Sequence, residues 1–183
     1  MYKGILILSL FTGLFLCFSC ERKTLEAGFE DMVNMTIYDY IVEHKDTFSN
    51  FLSILEKGGL DKTLSAYNPN GIDYTLFLPT NDAIDKFLKA NGKYKTMNEL
   101  LQDVEYVKIL GRYHVINLGI KTNDFPFGAL PEYTLSGDQL TVGFIVEPDT
   151  SYYKINNQAA ISKPNIEVSN GYIHVLENML TPV

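Results

Sequence analysis

Tryptophan is absent, cysteine occurs twice, histidine three times, and basic residues are outnumbered by acidic ones, 15 against 22, for a net charge of −7. Each shortage excludes something. A nucleic-acid partner is disfavoured, because affinity for a phosphate backbone rests on Lys and Arg displacing counterions. Three histidines at 44, 114 and 174 do not cluster in sequence, so no metal-ligand spacing is visible. No HExxH, GxSxG, GxGxxG, P-loop or EF-hand pattern occurs, which leaves no catalytic motif, no cofactor and no metal to assign. Numerous carboxylates will include chance neighbours, and such a pair alone does not indicate glycoside chemistry. No uncharged run reaches the roughly 20 residues that a membrane-spanning helix needs.

What is present divides unevenly along the chain. Lys3 precedes an uncharged run from Gly4 to Phe18, which ends in Ser19-Cys20 and the charged Glu21-Arg22-Lys23. This is the layout of a signal peptide over residues 1–19. A small residue directly before a cysteine at the end of such a run resembles the bacterial lipobox. The resemblance implies cleavage before Cys20 and diacylglycerol on its thiol, although Cys17-Phe18 stands where the common pattern has Leu and a small residue. With Cys17 removed, Cys20 is the only thiol left, so the mature chain forms no intrachain disulfide. Residues 20–35 are polar and without period, and read as a tether spanning on the order of 20 Å if flexible. The folded domain is expected over 36–183, held on the periplasmic or cell-surface face of a bacterial outer membrane.

The domain opens with helical periodicity. Thr36 can cap a helix carrying Ile37, Tyr40 and Ile41, and Phe48, Phe51, Leu52 and Leu55 repeat on one face until Gly58-Gly59. Asn68-Pro69-Asn70-Gly71 is a turn, and Tyr74 to Leu78 a strand. Pro79 to Asp82 then supplies a stop and a cap for a helix with Ile84, Phe87 and Leu88 inward. One further helical pattern runs through Leu100, Leu101, Val104 and Val107 towards Leu110. After Tyr113 come short β-prone runs at Leu135, Leu140–Val146, Tyr152–Ile155, Ala159–Ile161, Ile166–Val168 and Tyr172–Leu176. Gly137-Asp138, Asn156-Asn157 and Asn170-Gly171 punctuate them. Twelve Tyr and eleven Phe suit half-buried pleated faces. Helices first and strands afterwards predict an α+β fold rather than an alternating parallel one.

Four segments together resemble the fasciclin-like family. YTLFLPTNDAIDKFL from Tyr74 to Leu88 is similar to its first conserved box, and NGYIHVLENMLTP from Asn170 to Pro182 to its second. Tyr113-His114 sits where the family has a Tyr-His pair, and Thr134-Leu135-Ser136-Gly137 resembles its Thr-Leu-x-Gly turn. The resemblance implies a compact β-sandwich or wedge flanked by several helices, and a role in adhesion and extracellular recognition. The animal type of that role uses an acidic-Pro-Asp-Ile-type segment before the second box to engage integrins. Here the place reads Lys163-Pro164-Asn165-Ile166, and a neutral amide is a poor substitute for a carboxylate on a hard cation.

The candidate site residues follow from these motifs. Thr80 and Asn81 read as a helix cap with Asp82 in the first turn; Asn170-Gly171 reads as a hairpin turn requiring positive φ. His114 beside Tyr113, and His174 between Ile173 and Val175, read as hydrogen-bonded core histidines with a secondary possibility of ligand contact. The expected function is binding without turnover, of a glycan or a protein, through exposed aromatics. The alternative is an accessory subunit docked on an outer-membrane transporter complex. An aromatic groove favours the first and a flat apolar patch the second.

Overall fold

A computed structural model of the protein describes residues 34–182. The expected signal peptide over 1–19, the lipid site Cys20 and nearly all of the tether lie outside the described residues. Met35, placed in the tether by sequence, belongs to the domain: its carbonyl accepts a hydrogen bond from the Ser169 amide. Among the described residues no helix is long and apolar enough to cross a membrane.

Helix α1 (Ile37–Glu43) begins at a capping box, in which the Thr36 hydroxyl accepts from the Asp39 amide and the Asp39 carboxylate accepts from the Thr36 amide. His44 interrupts the helical run, stacking on Tyr40 at 4.1 Å, and α2 (Lys45–Lys57) follows. Phe48, Phe51, Leu52, Ile54 and Leu55 bury one face of α2, and Gly59 at φ 72° ends the run. A short α3 (Asp61–Leu64) leads into strand β1 (Tyr74–Pro79). Helix α4 (Asn81–Ala90) packs on α2. The apolar pattern from Leu100 to Leu110, read as one helix, is two: α5 (Met97–Gln102) and α6 (Val104–Tyr113). Asp103 breaks it by leaving helical geometry and accepting from the Tyr106 amide as a new cap.

The second half is strand: β2 (Val115–Ile116), a 3-10 turn at Thr122–Asp124, β3 (Gly128–Ala129), β4 (Thr141–Glu147), β5 (Thr150–Ile155), β6 (Ala159–Val168) and β7 (Gly171–Leu176). They form one curled, mixed sheet in the order β2-β1-β7-β6-β5-β4-β3. Among the described residues only β1 and β7 run parallel, side by side from Tyr74/Gly171 to Pro79/Leu176. All six residues of β1 are buried, as a strand covered on both faces requires. Leu76, Leu78, Ile173 and Val175 face the helices, while Phe77 and Leu176 belong to a second core with Ile155, Ala159 and Ile161 under the curled outer strands. The architecture is α+β, a strand wedge whose α-helices, among the described residues, all precede Val115.

Two strand expectations change. Leu135 is not in a strand; it packs on the helical core beside a tight turn in which the Thr134 amide donates to the Asp138 carbonyl. Ala159–Ile161 and Ile166–Val168 are one strand, bent by irregularities between Ile161 and Ile166. These bends let β6 leave β5 and turn to β7: β5 and β6 are registered only at Lys154/Ala160 and Ile155/Ala159.

Candidate functional site

The motif residues are spent largely on holding elements together. The Thr80 hydroxyl accepts from the Ala83 amide at 3.1 Å as the α4 cap. Asn81 reaches sideways to the start of α2: its Oδ1 accepts from the Asn50 amide at 2.9 Å, and its Nδ2 donates to the Asp46 carbonyl and the Ser49 hydroxyl. Asp82 is exposed in the first turn of α4, where negative charge suits the helix N-terminus.

Asn170 is fully buried, and its side chain joins three segments. Oδ1 accepts from the Ile37 amide, and Nδ2 donates to the Leu64 and Ala66 carbonyls, each at 2.8 Å. The reading of Asn170-Gly171 as the hairpin turn shifts by one residue: the two turn residues are Ser169 and Asn170, and Gly171, with φ 159°, opens β7 opposite Val168. Glycine is needed because a Cβ there would stand 2.1 Å from the Tyr74 carbonyl oxygen of the adjoining parallel strand.

His114 and His174 are both buried and carry opposite neutral tautomers. His114 donates from Nδ1 to the Leu110 carbonyl at 2.8 Å and accepts at Nε2 from the Leu180 amide at 3.2 Å. His174 donates from Nε2 to the Ile120 carbonyl at 2.9 Å and accepts at Nδ1 from the Asn165 amide at 3.1 Å. Burial pushes both down to about 4, against a small opposing effect of the carbonyl each ring bonds. The rings lie apart, His114 against Phe51 and His174 between Phe77 and Phe125. The sequence-selected residues therefore do not converge on one cavity. Asn165, in the segment where the family's acidic motif falls, has φ 58° and clamps Thr122, accepting from its amide and donating to its hydroxyl at 2.8 Å each.

Tyr113 alone among them lines an open depression. Its ring is buried in the second core, with the residue 3% exposed, while its hydroxyl accepts from Asn156 Nδ2 at 2.8 Å. Burial raises its pKa first, and the nearby Asp138 charge adds to that. Asp138, Gln139, Thr141, Asn156 and Gln158 complete this polar hollow of about 330 Å³. Asn156 and Asn157, both at positive φ, begin the three-residue β5–β6 turn that Gln158 completes, so the turn presents the Asn156 amide at a fixed angle.

A different surface lies on the outer strands. The β4 face that is core at Val142 continues past the core as Phe144, 43% exposed, and Val146, 74% exposed. Phe127, 92% exposed, and Phe125, Pro126 and Tyr153 join Val142 and Phe144 around a shallow apolar cleft of about 120 Å³. Among the described residues β3 alone pairs with this side of β4, at Thr141 and Val142, which leaves Gly143–Glu147 as a sheet edge. Sequence reading passed over this surface, though the alternation Val142, Phe144, Val146 was a usable signal. Among the described residues no three His, Cys, Asp or Glu side chains are placed to hold a metal ion.

Comparison with known proteins agrees with this architecture. Residues 46–182 match the model of the Fasciclin domain. The chain is 29% identical over 142 residues to transforming growth factor-beta-induced protein ig-h3 of Sus scrofa, covering 78% of this chain and 19% of that protein. It is 27% identical over 150 residues to human periostin, covering 82% and 16% respectively. The chain thus spans less than a fifth of these animal relatives. The Synechocystis protein sll1483 is nearer in size, 30% identical over 148 residues that cover 81% of this chain and 74% of that one. A solved FAS1 domain pair from the insect cell adhesion molecule fasciclin I superposes with a TM-score of 0.65 at 17% identity, over 81% of this chain and 51% of that one. On the family match, and on a fold built from the four motifs that suggested it, this chain belongs to the fasciclin domain family.

Proposed function

We propose that the protein is a non-enzymatic recognition and adhesion module, anchored by lipid on Cys20, that binds a protein partner through the apolar overhang of β4. The observation that carries this reading is Phe127 at 92% exposure beside Phe144 and Val146. Three large apolar side chains gathered on one exposed surface are disfavoured in water unless a partner covers them. The uncovered edge at Gly143–Glu147 lies along the same strand, and a partner strand added there would gain main-chain hydrogen bonds while Phe144 and Val146 supply side-chain contacts. The cleft between the rings, about 120 Å³, is too small to enclose a separate ligand and suits an inserted side chain. The buried histidines and asparagines of the family motifs are engaged in backbone hydrogen bonds, which leaves them to the fold rather than to chemistry. Adhesion is also what the solved insect relative does by name.

The reading is tested in intact cells with a photo-crosslinking residue in place of Phe144, and a control in place of Lys89 on α4. A discrete protein adduct is expected from position 144 and not from 89, and it should vanish when Phe127→Ser and Val146→Ser are combined. Equal yields at both positions, or indifference to the double substitution, overturn it. An adduct with an outer-membrane transporter subunit selects the accessory role; one with a surface protein selects adhesion. Products formed over time from the captured partner, found by mass spectrometry, would overturn the non-enzymatic part.

A further inference from the structure

The parting of β5 and β6 opens a second, chemically different surface. Beyond Ile155/Ala159 and Lys154/Ala160, β5 stays with β4 while β6 turns to β7. The gap is a groove of about 560 Å³ whose walls carry Ser151, Tyr152, Lys154, Ser162, Glu177 and Asn178. Gln158 lines both this groove and the hollow over Tyr113. The two form a polar track running past the β5–β6 turn.

We infer that this track is a binding site for a neutral oligosaccharide, with Tyr113, Asp138, Asn156 and Gln158 at one end and Tyr152, Lys154 and Asn178 at the other. Its amides are already fixed before any ligand arrives. Asn156 Oδ1 accepts from the Thr141 amide at 2.7 Å; Gln158 accepts from and donates to the Thr181 backbone at 2.9 and 3.1 Å; Gln139 donates to the Leu130 carbonyl at 3.1 Å. A ligand therefore meets side chains that lose little further freedom on binding. Each amide and carboxylate has hydrogen-bonding capacity left over, since one such group offers several donor or acceptor directions. Adjacent sugar hydroxyls, each donor and acceptor at once, match that spare capacity.

Tyr113 points to the same chemistry. Its hydroxyl accepts from Asn156, but its own proton has no acceptor among the described residues although the residue is 3% exposed. A ligand hydroxyl in the hollow would supply one. In the groove, Lys154 and Glu177 have no ion-pair partner among the described residues and carry opposite charge, and Asp138 in the hollow adds a second carboxylate, so the track repels an anionic ligand and suits an uncharged one. The partly exposed Tyr152 ring offers a face for a sugar ring, its hydroxyl held by Glu147 at 3.1 Å. An extended peptide fits less well: apart from the Tyr152 ring, only Ala160 and Ile161 give the groove apolar wall, leaving little for peptide side chains to bury.

The test uses the full mature chain with Cys20→Ser, labelled with nitrogen-15, and a panel of neutral hexasaccharides of glucose, mannose and galactose at millimolar concentration. At least one should shift the side-chain amide signals of Asn156 and Gln158 in a saturable way. Tyr113→Phe should weaken binding about tenfold, the size of one hydrogen bond. Because that change also removes an acceptor from Asn156, the exposed Asn178→Ala serves as a second variant; it should weaken binding several-fold at unchanged melting temperature. Phe127→Ser with Val146→Ser should leave the sugar shifts intact, so this site and the protein contact on β4 fail separately. The inference is overturned if no sugar of the panel moves these amides, if both variants bind within twofold of the parent, or if an extended decapeptide saturates the amides and no sugar does.

Discussion

At the scale of single residues, the two buried imidazoles set the acid limit of the fold. Each takes up a proton only near pH 4 in the folded chain but near the ordinary 6.5 once unfolded. Between those values the unfolded state binds more protons, so stability is full above about pH 6.5 and is lost as pH falls towards 4. The linkage amounts to about 3 kcal/mol per histidine over the whole window. Urea midpoints measured from pH 7.5 to 4.5 should fall with the uptake of close to two protons per molecule, and His174→Gln should remove about half of that slope. A midpoint flat across the window would show that the rings are charged or solvated in the native state. That both histidines are core was readable from their apolar neighbours in sequence; that their tautomers are opposite was not, since it depends on which distant backbone groups face each nitrogen. Gly171 was half legible for a similar reason. Its positive φ is a local inference, whereas the Tyr74 carbonyl that excludes a side chain comes from a strand nearly a hundred residues earlier.

At the scale of elements, the legible boundaries are those with a local chemical mark. Thr36 and Thr80 each start a helix with a hydroxyl cap, and Gly58-Gly59 ends one. Asp103 carries such a mark but was hidden, because Leu101, Val104 and Val107 keep helical spacing straight across it. In the structure Asp103 caps α6 and also binds Lys93 at 2.8 Å and the Tyr94 hydroxyl at 2.6 Å, hydrogen bonds that draw its carboxyl down to about 2. Asp103→Ala should lower the melting temperature modestly through the lost cap. Hydrogen exchange should accelerate at the start of α6 while β1 and β7 keep their protection. Uniform acceleration over the domain would mean that the α5–α6 junction does not open on its own. The bend in β6 was illegible for a different reason. Ser162 to Asn165 reads as a polar gap between two strands, and only the need to pair with β7 on one side and β5 on the other makes it a single strand.

At the scale of the whole molecule, the order of helices then strands was enough to give the class, and the four motifs gave the wedge. The surfaces proposed for binding were not visible, since both arise where strands overhang or part. In the proposed function, placement of the domain at a membrane rests on Cys20. Cys20→Ala should block acylation and move the protein from the membrane to the soluble fraction, as followed by fractionation and labelling with a fatty-acid analogue. Retention of the variant in the membrane, together with an unlabelled parent, would remove the lipoprotein reading.

The parallel pairing of β1 with β7 has a consequence for the life of the chain before it folds. The central partner of the first strand is the last one, and Asn170 must bond the Ile37 amide across 133 residues to fix the first helix. Neither contact exists until the C-terminal box has been made. Such long-range closure delays the cooperative step of folding, and a chain still emerging from the ribosome has helices but no sheet to pack them on. Until its final strand arrives, a chain of this kind is held chiefly by local contacts, and any process that needs it unlocked must act before then.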